Sequence, residues 1–133
     1  MLAAVVRPFK GKTLASVKDE ADTIAKIVPG QNLVTFSNAC ATNVLENARD
    51  ASVLHLACHG EQHPTNPLAS GFVMRDAMLT VARLMDLNPP AAFLAFLSAC
   101  ETAKGDARQP DQAIHLAAAM LFAGFKSVVA TMW

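Results

Sequence analysis

The stretch SVLHLACHG, residues 52–60, is an apolar run that ends in a cysteine, a histidine and a glycine. Its first six residues predict a buried strand, because a short apolar run without glycine or proline suits a sheet that is covered on both faces. A second stretch, AFLAFLSAC at residues 92–100, has the same pattern and ends in Cys100. Ligand sites of parallel sheets lie beyond the carboxyl ends of strands, so both stretches carry reactive side chains to an expected site.

The chain around these two stretches alternates apolar runs with segments of helical periodicity. Further strands are predicted at residues 2–6, 33–36 and 127–132, and helices at residues 14–28, 41–48 and 111–123. Repeated strand–helix–strand units indicate an α/β fold, a three-layer α/β/α sandwich with a mainly parallel sheet.

Local signals predict the ends of several elements. Residues 71–79 are predicted as a hairpin or an irregular strand pair, with Asp76 as a turn residue. Thr80 is the predicted N-cap of a short helix after that hairpin, and Thr42 the predicted N-cap of the short helix at residues 41–48. Gly124 is predicted to end the last helix as its C′ residue.

The composition argues against several classes of function. The chain has 133 residues, enough for one domain, and 53% of them are hydrophobic, which predicts a large core. Eleven basic and eleven acidic residues balance, so neither nucleic acid nor a membrane surface is expected as a partner. No run of eighteen apolar residues occurs, and no membrane-spanning helix is predicted.

Three cysteines, Cys40, Cys58 and Cys100, are an odd number for a disulfide framework. Their count favours a reducing compartment, and a cytoplasmic location is predicted. Cys40 and Cys58 are predicted to be structural, since Cys58 adjoins His59 in a strand, where neighbouring side chains diverge.

His59 and Cys100 would meet if the two decisive strands are neighbours in a parallel sheet. The strand ends would then lie roughly 5 to 10 Å apart, one or two strand spacings of about 4.8 Å. A thiol needs a positioned imidazole to become a useful nucleophile near neutral pH. We therefore predict a catalytic pair whose side chains lie within roughly 4 to 7 Å of each other.

Two backbone amides are predicted to form an oxyanion hole beside this pair. Gly60 follows the histidine, and a residue without a side chain lets its N–H approach a substrate carbonyl closely. Cys100 precedes a predicted turn or helix start, whose N–H groups favour a thiolate and an oxyanion. The predicted donors are the N–H groups of Gly60 and Cys100.

The chain resembles CHAT domains, which are caspase-like peptidases related to separases. The resemblance covers the whole chain and is carried by VLHLACHGEQHP (53–64), PLASGFVMRDAMLT (67–80), FLAFLSACETAKGD (93–106) and AIHLAAAMLFAGFKSVVATMW (113–133). It implies a caspase-like sheet with a Cys-His dyad, His59 as acid and base and Cys100 as nucleophile, without an obligatory third acid and without a cofactor.

The same resemblance implies a cysteine endopeptidase that cleaves protein substrates in regulated signalling or cell-death-type proteolysis. Some relatives prefer a basic residue on the amino side of the cut bond. Tetratricopeptide or other repeat domains are implied partners in a longer chain. Because the chain ends at Trp133 directly after a predicted strand, residues 1–133 are expected to be a partial CHAT domain that lacks its C-terminal part.

Several alternatives remain at the level of the sequence. Glu101 is either part of a pocket for a basic side chain or the acidic start of a helix, and His63 either contacts substrate or is a solvated loop residue. A zinc site from these histidines and cysteines fits no common ligand spacing and is not expected. His55 is predicted to be a core or interface residue. The alternative to a peptidase is a non-catalytic interaction or scaffold module.

Overall fold

The structure is a computed structural model that describes residues 3–6, 15–37, 39–61, 63–98 and 112–130. Its elements follow in chain order: β1 (Ala3–Val6), α1 (Ala15–Ile27), β2 (Leu33–Phe36), α2 (Ala41–Ala48), β3 (Val53–Leu56), β4 (Gly60–Glu61), β5 (Gly71–Val73), β6 (Met78–Thr80), α3 (Val81–Met85), β7 (Leu94–Leu97), α4 (Gln112–Phe122) and β8 (Ser127–Ala130).

A five-stranded parallel sheet forms the centre of the domain, in the order β2-β1-β3-β7-β8. The strands of the two apolar stretches, β3 and β7, are direct neighbours. His55 pairs with Phe96 and Leu56 with Leu97, so both strands end at the same edge of the sheet. The arrangement on which the predicted catalytic pair depends is therefore present.

The two faces of the sheet are covered by different helices. Leu54 and Leu56 of β3 and Leu97 of β7 are fully buried in one apolar cluster with residues of α2, α3 and α4. Side chains alternate along a strand, so His55 lies on the opposite face, where it contacts Glu20 of α1. Helices thus lie on both faces, and the predicted three-layer α/β/α sandwich is confirmed.

The residues between β3 and α3 in sequence form a second, antiparallel sheet with the strand order β4-β5-β6. The sequence predicted only the hairpin that β5 and β6 form. The added strand β4 starts at Gly60, which pairs with Phe72. Gly71 has to be glycine here, because a Cβ atom at this position would lie 2.7 Å from the Cα of Thr80 and would collide with the carbonyl oxygen of Leu79.

The predicted cap of α2 is wrong. Thr42 lies inside the helix, and Cys40 occupies the N-cap position without a side-chain capping bond. The Ala41 N–H instead donates to Asp76 Oδ1 at 2.9 Å, so a residue distant in sequence caps the helix. Local sequence could not indicate this, because the hairpin turn reaches α2 only after the chain has folded.

Two other predicted helix ends are confirmed. Thr80 Oγ1 accepts a hydrogen bond from the Arg83 N–H at 3.4 Å at the start of α3. Gly124 follows α4 with a φ of 105°, and the N–H of Phe125 bonds back to the Met120 carbonyl.

Candidate functional site

His59 lies where the chain leaves the parallel sheet and enters the antiparallel one. It follows β3 by three residues and is half-buried. Its carbonyl oxygen accepts a hydrogen bond from the Val73 N–H at 2.8 Å, which ties the histidine to β5. The backbone of His59 is therefore anchored on both sides, by β3 before it and by the β4–β5 pair after it.

The direction of the Gly60 N–H follows from this hydrogen bond. The peptide bond between His59 and Gly60 is trans, so its C=O and N–H point in opposite directions. Because the C=O points at Val73, the Gly60 N–H points away from β5, on the outer side of the edge strand β4. A backbone donor thus stands beside the histidine and is directed out of the antiparallel sheet.

The α-carbon of Gly60 is itself closely packed. The residue is buried, and a Cβ atom placed on it would lie 3.3 Å from Leu116 Cδ1 of α4. That neighbour is the tip of a flexible side chain, which can shift by a few tenths of an ångström. The position is tight on the α4 side but does not exclude a methyl group.

The cysteine next to His59 occupies a different environment. Cys58 is fully buried and belongs to the apolar core, whereas His59 is half-buried. Cys40 is half-buried at the N-cap of α2. The buried position of Cys58 agrees with the structural role predicted for it, and the structural role of Cys40 stays a prediction.

His63 is exposed, and its ring helps to shape the loop after β4. Nδ1 accepts hydrogen bonds from the N–H groups of Thr65 at 3.3 Å and Asn66 at 3.0 Å. The backbone N–H of His63 donates to Ser70 Oγ at 2.9 Å. The sequence did not predict this structural use of Nδ1, and a substrate contact by His63 stays a prediction.

A polar cluster around the buried His55 lies on the α1 face of the sheet, close to the strand ends. Nε2 of His55 is 2.9 Å from Ser98 Oγ and 3.2 Å from Glu20 Oε1. The ring also packs edge-on against Phe96, with 5.0 Å between ring centroids. The predicted core position of His55 is confirmed, but its polar partners, which come from α1 and from the end of β7, were not predicted.

The contact with Glu20 assigns the proton of the imidazole. A carboxylate oxygen only accepts hydrogen bonds, so Nε2 of His55 carries a hydrogen that faces Glu20 and the Ser98 hydroxyl. Burial disfavours the charged ring and lowers the pKa of His55 below its usual 6.5, while the Glu20 carboxylate works in the opposite direction. His55 is therefore a neutral donor near neutral pH.

The segment that leads to the predicted nucleophile is described up to Ser98. The Ser98 N–H donates to the Leu56 carbonyl at 3.1 Å, which extends the β3–β7 pairing by one residue. Cys100 and Glu101 lie outside the described residues, as does their geometry toward His59.

Two further features are absent from the described part of the chain. No group of three or more His, Cys, Asp or Glu side chains there is arranged to hold a metal ion. No helix within the same residues is long and apolar enough to cross a membrane.

The comparison with protein families agrees with the fold. A family model described as CHAT domain matches residues 3–133, nearly the whole chain. No curated protein matches the chain.

Proposed function

The chain belongs to the CHAT domain family, which is related to caspase-like peptidases, and on this premise we propose that it is a cysteine endopeptidase. The reaction is hydrolysis of peptide bonds in protein substrates. The proposed catalytic residues are His59 and Cys100, with the N–H groups of Gly60 and Cys100 as oxyanion donors.

The observation that supports this proposal best is the pairing of β3 with β7. His59 follows Leu56 by three residues and Cys100 follows Leu97 by three, and these two strand residues are paired in register. Two chain segments of equal length therefore leave one edge of the sheet from adjacent positions. This is the arrangement in which an imidazole and a thiol from separate segments can act together.

The proposed reaction proceeds through an acyl-enzyme. The imidazole of His59 takes the thiol proton of Cys100, and the thiolate attacks the carbonyl carbon of the scissile bond. The tetrahedral oxyanion is bound by the N–H groups of Gly60 and Cys100. The imidazolium then protonates the leaving amine, and water, deprotonated by the same imidazole, hydrolyses the thioester and restores the thiol.

The orientation of the Gly60 N–H supports its part in this scheme. An oxyanion donor has to point out of the protein's own hydrogen-bonded ladders toward the substrate. The Gly60 N–H points away from β5 because the carbonyl of the same peptide is bonded to Val73. It lies next to His59, whose proton has to reach the leaving group at the same carbonyl carbon.

The proposed setting is the cytoplasm, in regulated signalling or cell-death-type proteolysis. The partner is a protein substrate, and Glu101 and His63 are proposed contacts for it, with Glu101 facing a basic side chain. Tetratricopeptide or other repeat domains are proposed partners in a longer chain. The mechanism draws on the chain's own residues and needs no cofactor.

A non-catalytic interaction or scaffold module is the second candidate function. Large apolar side chains that are strongly exposed favour it, among them Phe122 at the end of α4 and Phe93 before β7, with 74% and 57% of their surface accessible. Such side chains are typical anchors of protein–protein contacts. In this case Cys100 would react like any other thiol.

Labelling with a peptidyl acyloxymethyl ketone that carries arginine beside the reactive carbon separates the two functions. A peptidase is expected to be alkylated at Cys100, and His59→Ala is expected to slow this by about 10²- to 10⁴-fold. Cys58→Ala is the matched control, since that thiol is fully buried, and should be labelled like the parent. Labelling of Cys100 that is slow and unaffected by His59→Ala would favour the scaffold function.

A further inference from the structure

We propose that His55 is a positioning residue for Cys100 and that it acts through Ser98. This inference rests on the proposed function, because it concerns how the proposed nucleophile is held. Its basis is the 2.9 Å contact between His55 Nε2 and Ser98 Oγ, two residues before Cys100 in sequence.

Ser98 is held at its backbone and at its side chain by two consecutive residues of β3. Its N–H donates to the Leu56 carbonyl at 3.1 Å, and its hydroxyl contacts Nε2 of His55. The backbone hydrogen bond alone would fix the register of Ser98 relative to β3. The side-chain bond adds a second fixed point, which restricts the direction in which the chain continues toward Cys100.

The imidazole that makes this contact is itself constrained from three sides. His55 is only 5% exposed, its ring packs edge-on against Phe96, and Nε2 also contacts Glu20 of α1. A buried donor whose hydrogen-bond partners are lost is costly, so the ring has a strong preference for this one placement. One nitrogen atom of β3 thereby contacts both α1 and the end of β7.

The consequence lies in the geometry of the proposed dyad. His59 follows His55 of β3 by four residues, and Cys100 follows Ser98 by two. The bond between His55 and Ser98 therefore ties together the two segments whose ends must meet. Because a misplacement of about 1 Å at a reacting group can cost roughly 10²-fold in rate, a lost tie should reduce reactivity without removing either catalytic group.

The test is the pH profile of iodoacetamide alkylation at Cys100, followed in the intact chain by peptide mass spectrometry. An ordinary thiol gains reactivity around its pKa of about 8.5, whereas a thiolate paired with an imidazolium reacts at lower pH. His55→Phe keeps a ring but removes the donor, and Ser98→Ala removes the hydroxyl. Both are expected to slow alkylation at pH 6 by about tenfold or more and to move the profile toward that of an ordinary thiol.

Conservative variants separate positioning from general loss of stability. His55→Gln places an amide donor near the position of Nε2, and Ser98→Thr keeps the hydroxyl, so both should retain most of the low-pH reactivity. Ser70→Ala is the control for loss of a hydrogen-bonded serine hydroxyl and should leave the profile unchanged. Circular dichroism reports folding; if His55→Phe is unfolded, Ser98→Ala decides the result.

The outcomes distinguish the inference from the function on which it rests. If the parent Cys100 reacts as an ordinary thiol and His59→Ala does not change its alkylation rate, the proposed function is wrong. The positioning role of His55 is then wrong as well. If Cys100 is activated in a His59-dependent way but Ser98→Ala matches the parent, the positioning role alone is overturned. A loss in His55→Gln as large as that in His55→Phe would also overturn it, because the donor would then not be the cause.

Discussion

His55 Nε2 and Ser98 Oγ lie 2.9 Å apart, so a side-chain hydrogen bond joins the two strands that lead to the proposed catalytic residues. The same nitrogen lies 3.2 Å from Glu20 Oε1 on α1. A buried polar group of this kind is stable only while its partners are present. The cluster is therefore sensitive both to mutation and to protonation.

The pH dependence of stability is expected to report on His55. Burial lowers the pKa of His55 in the folded chain, so the unfolded chain binds more protons as the pH falls below about 6.5. The contribution of neutral His55 to stability is thus full above that pH and is lost progressively at lower pH, toward the pKa of the folded state. The Glu20 carboxylate, which lies against the ring, limits the loss.

Urea unfolding at pH 7.5, 6.5 and 5.5 measures this effect. One additional proton bound by the unfolded chain corresponds to at most about 1.4 kcal/mol per pH unit in the free energy of unfolding. His55→Gln has no titrating group at this position and should show a flatter pH dependence than the parent. Identical slopes for the parent and His55→Gln would contradict the neutral, buried state of the ring.

Substitution of Gly60 tests the proposed oxyanion donor. Gly60→Pro removes the N–H, and since that N–H points away from β5, no bond of the β4–β5 ladder is lost. We expect peptide hydrolysis to fall by about 10²- to 10³-fold, the usual effect of losing one oxyanion donor. The measurement is kcat for a peptide substrate, with folding followed by circular dichroism.

Gly60→Ala is the matched control for this substitution. It keeps the N–H and adds a methyl group 3.3 Å from the flexible tip of Leu116, so a much smaller loss is expected. Equal losses in Gly60→Ala and Gly60→Pro would show that space, and not the donor, limits this position.

Asp76 is expected to stabilise α2 across a large separation in sequence. Its Oδ1 accepts the Ala41 N–H, and this bond is the main reason why the pKa of Asp76 is lowered from 3.8. At neutral pH the thermal midpoint should fall in the order parent, Asp76→Asn, Asp76→Ala, since asparagine keeps an oxygen acceptor but not the charge at the helix N-terminus.

The advantage of the parent over Asp76→Asn should depend on pH. Because the pKa is lowered in the folded chain, the contribution of the charge is present above pH 3.8 and is lost as the pH falls through the folded pKa. Thermal melts at pH 7 and pH 3 measure it. A gap between the parent and Asp76→Asn that is as large at pH 3 as at pH 7 would contradict the assignment.

The sequence predicted the strands and helices of the described residues well, because hydrophobic periodicity and Gly or Pro breaks are local signals. The positions of β3 and β7, for example, follow from two similar apolar runs that end in reactive residues. It did not predict the cap of α2 by Asp76 or the contact of His55 with Ser98, whose partners are 35 and 43 residues apart. Such contacts depend on how the elements pack, which no pattern in one short window contains.

The candidate site likewise has a part that local sequence signals predict and a part that depends on packing. His59 and Gly60 could be proposed because they stand at the end of a recognisable strand, and the structure adds the direction of the Gly60 N–H. That direction depends on the pairing of β4 with β5, and the sequence predicted no strand at residues 60–61. The role of Ser98 could not be foreseen, since a serine after an apolar strand is common and its partner lies on another strand.

Mapping of the acyl-enzyme is the most direct test of the proposed Cys100–His59 pair. The chain is incubated with the p-nitrophenyl ester of an N-acetylated arginine, quenched in acid, digested and examined by mass spectrometry for the acyl group. A thioester on Cys100 is expected to form rapidly and to turn over, and to accumulate far more slowly in His59→Ala. An acyl group found on Cys58 or Cys40, or equal acylation of Cys100 with and without His59, would contradict it.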